Sequence, residues 1–125
     1  VSSSTPLIKS FKASAAIAGN RFVKAGTGVV TQASANTDKI LGISERLGAD
    51  SGGTADLVVD GWYELKLGGT VAFGDPLTAD SNGCGVVAAP VTNTIVRIGA
   101  FAMDAGVSGD IIPVLVRQQV LATPA

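Results

Sequence analysis

Cys84 is the residue of this 125-residue chain whose type alone suggests a nucleophile. A thiol attacks as the thiolate, and a nearby base or cation must bring it there. The chain contains no histidine, so the commonest general base and the commonest metal ligand are both missing. A single cysteine also excludes an intrachain disulfide and a cysteine-based zinc site. Cys84 falls directly after Asn82-Gly83, a hairpin signal, so a small turn residue is the simpler account of it. Asp50, Asp56 and Asp60 lack the alternating oxygen-ligand loop, closed by a carboxylate, that calcium requires. The run Gly48-Ala49-Asp50-Ser51-Gly52-Gly53 lacks the Gly-Lys-Ser/Thr ending and the following helix of a phosphate loop, and reads as a flexible turn. Asp75 and Asp110 each follow a glycine and read as turn formers, while Glu64 and Lys66 are ordinary charges along one strand face. No catalytic residue, metal ligand or cofactor-binding residue emerges. The chain is not expected to be an enzyme or to carry a cofactor.

The elements that would position any site are all short and apolar. Hydrophobic residues make up 46% but aromatics only 5%, so Val, Ile, Leu and Ala must fill the core. Sixteen glycines and 15% charged residues fit many short strands joined by tight turns. No stretch shows a sustained helical period, and the expected fold class is all-β. A net charge of -1 provides no basic excess to neutralise phosphates, which argues against nucleic acid as a partner. No run of about 18 apolar residues is present to span a membrane, and no basic region leads into an apolar one. The chain therefore reads as soluble and free of a signal peptide, with Val1 following a removed initiator Met. Low net charge together with a mean hydropathy of +0.42 suits a protein whose surface is partly buried against other subunits.

A repeat organises these strands. Gly26-Thr27-Gly28-Val29-Val30 returns fifty-seven positions later as Gly83-Cys84-Gly85-Val86-Val87, and the same diagonal aligns Gly42 with Gly99 and Ser51-Gly52 with Ser108-Gly109. Upstream, Gly19-Asn20-Arg21-Phe22-Val23 pairs with Gly74-Asp75-Pro76-Leu77-Thr78. Two β units, roughly residues 19–60 and 74–117, thus lie within one domain over residues 13–125. A glycine inside the matching strands of both units predicts a bend or a close backbone approach at Gly42 and Gly99. Pro113 predicts an edge or a bulge in the closing strand. Residues 1–12 stand before the first unit without a counterpart before the second. They are either an extended arm that adds to a neighbour's sheet through Pro6, Leu7, Ile8 and Phe11, or a frayed first strand of the same domain. Trp62 and Tyr63 lie where the units join, either as interface anchors or as an aromatic cap on the barrel's open end.

The runs Ala15-Ala16-Ile17-Ala18-Gly19-Asn20-Arg21-Phe22-Val23-Lys24 and Ile40-Leu41-Gly42-Ile43-Ser44 are similar to those of the head decoration, or capsid cement, proteins of tailed bacteriophages. So are Gly74-Asp75-Pro76-Leu77-Thr78 and Gly109-Asp110-Ile111-Ile112-Pro113-Val114, and the resemblance extends over residues 13–117. It implies a small β-barrel or β-tulip with an extended N-terminal arm, assembled as a homotrimer on the outer surface of the virion capsid. It also implies binding at junctions of the major capsid protein, stabilisation of the shell against internal pressure, and synthesis in the host cytoplasm. The partners implied are the major capsid protein and the chain itself, with neither nucleic acid nor membrane. The competing expectation is a ligand- or glycan-binding β module of a phage tail or surface protein.

Overall fold

The computed structural model describes residues 7–89 and 95–122. These form nine strands and no helix: β1 (Leu7–Lys12), β2 (Phe22–Ala25), β3 (Val30–Gln32), β4 (Ile40–Ser44), β5 (Thr54–Lys66), β6 (Pro76–Ala79), β7 (Gly85–Val87), β8 (Ile95–Ala102) and β9 (Ile111–Ala122). The fold is all-β, as the sequence predicts. One antiparallel sheet runs in the order β3-β2-β4-β5-β9-β8-β6-β7, with β1 paired to β5 beside that path. The sheet is curled into half-barrel form, a small barrel whose path, among the described residues, ends at β3 and β7 without a closing ladder.

The strand order is the same read from either end, and the pairing matches residue by residue. Ile8 faces Val58 as Trp62 faces Leu115, and Phe11 faces Ala55 as Leu65 faces Ile112. Phe22 faces Ile43 as Pro76 faces Phe101. Ala25 faces Val30 as Ala79 faces Gly85. Even outside the strands, Ala13 bridges Val30 as Leu67 bridges Gly85, and Ile17 bridges Ala49 as Val71 bridges Gly106. Each half therefore has five strands. The first comprises β1 to β4 and residues 54–60 of β5; the second comprises residues 61–66 of β5 and β6 to β9. Gly61, at φ +101°, marks the change. That region of backbone space is closed to most L side chains, so a glycine is what lets one strand serve both halves.

This geometry revises three features of the sequence reading. The segment before the first unit does have a counterpart: β1 corresponds to residues 61–66, hidden inside β5. The turn glycine equivalent to Gly28 (φ +71°) is Gly83 (φ +74°), not Gly85, because the second hairpin turn is one residue longer. Gly42 corresponds in pairing to Ala100 rather than to Gly99. Both glycines nevertheless sit at close approaches beside register shifts. A Cβ on Gly42 would collide with the backbone carbonyl of Val58 on the adjacent strand. A Cβ on Gly99 would stand 2.5 Å from Cε1 of Phe22 and 2.8 Å from Cγ2 of Ile40.

Pro113 is placed in β9, between β5 and β8, and pairs with Glu64 in unbroken register, so it stands at neither the sheet edge nor the bulge that its type predicts. Its carbonyl accepts from Met103 N–H just beyond the end of β8. The missing donor therefore faces the last rung of that ladder, where its loss breaks little.

Alternation along the strands feeds two large cores and a small third cluster, in which Ala88, Val96 and Ile98 pack against Phe101. Phe22, Ile43 and Val58 point into the main cluster with Leu65, Leu67, Leu77, Ala100 and Val116. Val23 and Leu57 point the other way, into a second cluster with Ala13, Ile17, Val30 and Ala55. The first unit is thus buried on both faces, like a strand layer in the middle of a sandwich. Asn20 stitches the halves together at an unusual φ of +56°. Its side-chain amide donates to the Glu64 carbonyl at 3.0 Å, and its own carbonyl accepts from Lys66 N–H at 3.0 Å.

Gly99→Val is expected to lower stability by about 1–3 kcal/mol through overpacking against Phe22. Gly42→Val should cost at least as much, because the atom it strikes is backbone. Thermal melting of the two variants checks this. Adding Phe22→Leu to Gly99→Val should recover part of the loss relative to Phe22→Leu alone; strict additivity would show that the ring is not the obstacle.

Candidate interaction surfaces

Cys84 is buried at the foot of the β6–β7 turn, and its N–H donates to Asp80 Oδ1 at 2.9 Å. Burial pushes the thiol above its ordinary pKa. Arg21 and Lys66 pull it down and Asp80 pushes it up, but burial dominates. A raised pKa means less thiolate at any given pH, the reverse of an activated nucleophile. The loop at residues 48–53 uses its N–H groups internally. Gly48 donates to Glu45, Ala49 to Ile17, Gly52 to Ala13 and Gly53 to Asp50, so these donors are not free to cradle a phosphate. Asp56 accepts from the Ser10 hydroxyl at 2.6 Å, and no group of three or more possible ligands gathers among the described residues. Asp75 and Asp110 cap their own turns, accepting from Ala72 N–H at 2.9 Å and Val107 N–H at 3.0 Å.

What the fold presents instead is apolar surface. Of the segment singled out at the N-terminus, Pro6 lies outside the described residues. Leu7 and Ile8 are 50% and 43% exposed on β1. Phe11, on the same strand, packs against the second core cluster. One short strand therefore divides its labour: Phe11 anchors and Leu7 and Ile8 face outward. The two central aromatics divide in the same way. Tyr63 packs against the main core, and its hydroxyl accepts from Arg46 N–H at 3.1 Å. Trp62 turns to the opposite face and is 46% exposed. The pair forms no stacking platform of the kind a sugar ring needs.

Trp62 is not isolated. It faces Leu115, Leu115 faces Phe101, and Phe101 faces Pro76, which makes one row across β5, β9, β8 and β6. Directly paired residues share a sheet face, so this row is a contiguous apolar strip. Sequence reasoning found Trp62 but missed the strip. Its members are spread over forty positions of other strands, and only the register brings them together.

The model of the phage cement protein family matches residues 3–118 of this chain. The chain belongs to the phage cement protein family, and with it to the virion-associated structural proteins of the phage head. Among solved structures, it is similar to the N base of head fiber gp8.5 of bacteriophage phi29. The TM-score is 0.63 at 15% identity, over 90% of this chain and 95% of that one. At that identity the likeness is one of fold. A search of curated proteins returned no match.

Two outcomes follow from this geometry. Phe11→Ala is expected to cost about 2–4 kcal/mol of stability, somewhat less than truncation of a fully buried aromatic because Phe11 is partly exposed. Leu7→Ser and Ile8→Ser should melt within experimental error of the parent when both are dilute enough to be monomeric, since any self-association would raise the parent's melting temperature by mass action. Alkylation of Cys84 at mildly alkaline pH should be slower by about tenfold or more in the native protein than in the denatured chain. Equal rates would show that the thiol is open.

Proposed function

We propose that this protein decorates the outer surface of a phage head, binds at junctions between major capsid protein subunits, and stabilises the shell as a homotrimer. The observation that carries the reading is the family match over residues 3–118, which spans nearly the whole fold rather than one motif of it. The physical design supports it. A cement subunit must resist local opening and must expose surface that becomes buried on assembly. The two-sided burial of Phe22, Val23, Leu57 and Val58 supplies the first. Leu7, Ile8 and Trp62, apolar and exposed on otherwise well-packed strands, supply the second. Many copies on one shell would then add avidity to individually weak contacts. The reading involves no catalytic step, cofactor, nucleic acid or membrane.

Mixing the purified protein with expanded, decoration-free capsids tests it. Saturable co-sedimentation and a higher temperature of shell disruption are expected. Capsids that pellet no more of this chain than of an unrelated β-domain would sink the reading.

A further inference from the structure

The two halves are equivalent in pairing but not in environment. In the first half, the row Ile8, Val58, Ile43 and Phe22 corresponds to Trp62, Leu115, Phe101 and Pro76 in the second. Three members of the first row, Phe22, Ile43 and Val58, are fully buried beneath the sister half. In the second row Trp62 is 46% exposed, and Leu115, Phe101 and Pro76 are only half-buried, Phe101 against the small cluster of Ala88, Val96 and Ile98 in its own half. The turns behave alike. Asn20 N–H donates to Ser44 as Gly74 N–H donates to Ala102, and both turn residues have positive φ, at +56° and +90°. The Asn20 turn is seated on the outer edge of residues 61–66, through Glu64 and Lys66. The Gly74 turn bonds only its own half, through Ala102 of β8, and is seated on no strand of the other half among the described residues; Phe73 beside it is 73% exposed.

The seat that the Gly74 turn lacks exists elsewhere on the same chain. Residues 61–66 correspond to β1, so the groups matching Glu64 and Lys66 are the Ser10 carbonyl and the Lys12 N–H. Among the described residues, β1 pairs only with β5, which leaves that edge free. Leu7 and Ile8 are exposed next to it.

We propose that a second copy of this chain docks head to tail. The Gly74 turn and the Trp62–Leu115–Phe101 row of one copy cover the β1 edge and Leu7 and Ile8 of the next. This repeats between chains the apolar packing and the Lys66-to-Asn20 backbone bond that join the two halves within one, now as Lys12 N–H to the Gly74 carbonyl; the Asn20 side-chain bond has no counterpart, because Gly74 has no side chain. The contact deepens the self-association in the proposed function by naming its faces and its polarity. It is heterologous, so it closes into a ring if the rotation allows. Its backbone part is edge pairing, and its apolar anchor is Trp62.

Sedimentation equilibrium on the free protein, with melting curves alongside, tests the arrangement. The parent should associate. Trp62→Lys and Ile8→Lys change exposed side chains, so each should fold normally while weakening association by at least about tenfold. An equimolar mixture of the two variants should recover a species of twice the monomer mass, because each mixed pair retains one intact contact. A monomeric parent, a variant that associates like the parent, or a mixture that stays monomeric would each overturn the proposal. Capsid co-sedimentation of the same samples separates the two readings. A parent that associates but does not pellet with capsids defeats only the proposed function. A Trp62→Lys protein that still associates but no longer pellets assigns the face to the shell and defeats the proposal.

Discussion

Everything in this molecule depends on one strand belonging to two units at once. β5 completes the first half with residues 54–60 and begins the second with residues 61–66, and the change of partner occurs at Gly61. A φ of +101° there re-aims the chain without breaking it. Because the link is a continuous strand rather than a flexible loop, the halves cannot drift apart independently. Their relative placement is set by a covalent, hydrogen-bonded beam. Phe22 then fills the space between them, with its ring against the bare backbone of Gly99. Burial of such an aromatic is worth about 1.5–3 kcal/mol in transfer terms alone, and the close approach adds contact that a larger residue at 99 would forbid.

The sequence makes one level of this legible and obscures another. Local turn chemistry is visible directly: glycines at positive φ, Asp residues that cap turns, and an Asn-Gly hairpin. The alternation of Trp62, Glu64 and Lys66 against Tyr63, Leu65 and Leu67 also correctly separates outside from inside. The registration of the two halves is less visible. Matched identities such as Gly42 with Gly99 draw the eye to one diagonal, whereas the pairing keeps to that diagonal only from β5 to β9 and shifts off it in the other strands, because turns and bulges change the length between them. A one-residue shift turns a strand over, so the sequence diagonal and the structural equivalence disagree about which face is which. β1 escapes notice for a related reason. It corresponds to half of a long strand, and Lys12 with Lys66 is all that the two share in identity. Pro113 shows the limit of a compositional rule: its type suggests an edge, yet where the neighbouring ladder is ending a central strand accommodates it.

The candidate chemistry was ruled on by different physics. Glycine-rich loops bind phosphate through N–H groups that point outward and are free. At residues 48–53 four such groups are already spent, those of Gly48 and Gly53 on the Glu45 and Asp50 carbonyls of their own turns and those of Ala49 and Gly52 on Ile17 and Ala13. A cysteine is reactive where positive charge outweighs desolvation, and at Cys84 desolvation outweighs Arg21 and Lys66. In both places the sequence offers a reactive residue type, and packing then commits it to structure.

Duplication also explains why an otherwise well-packed domain carries an apolar strip. Two equivalent units in a chain make one contact between unlike faces: the row and turn of the first against the first strand of the second. A contact of that polarity always leaves its complement at each end, an uncovered row and turn on the last unit and an uncovered first strand on the first. The exposure of Trp62 and Phe73 at one end and of Leu7 and Ile8 at the other is therefore the boundary condition of the fold itself, rather than a scatter of surface hydrophobics. Such ends can be blunted by charge, as terminal repeats in stacked proteins commonly are. Here the blunting is partial: Lys9 and Lys12 are exposed on β1 beside Leu7 and Ile8, while Trp62 and Phe73 stay bare at the other end. Among the described residues one end keeps a free strand edge and the other a turn unseated on the sister half, which is the arrangement expected when the next unit arrives on another chain.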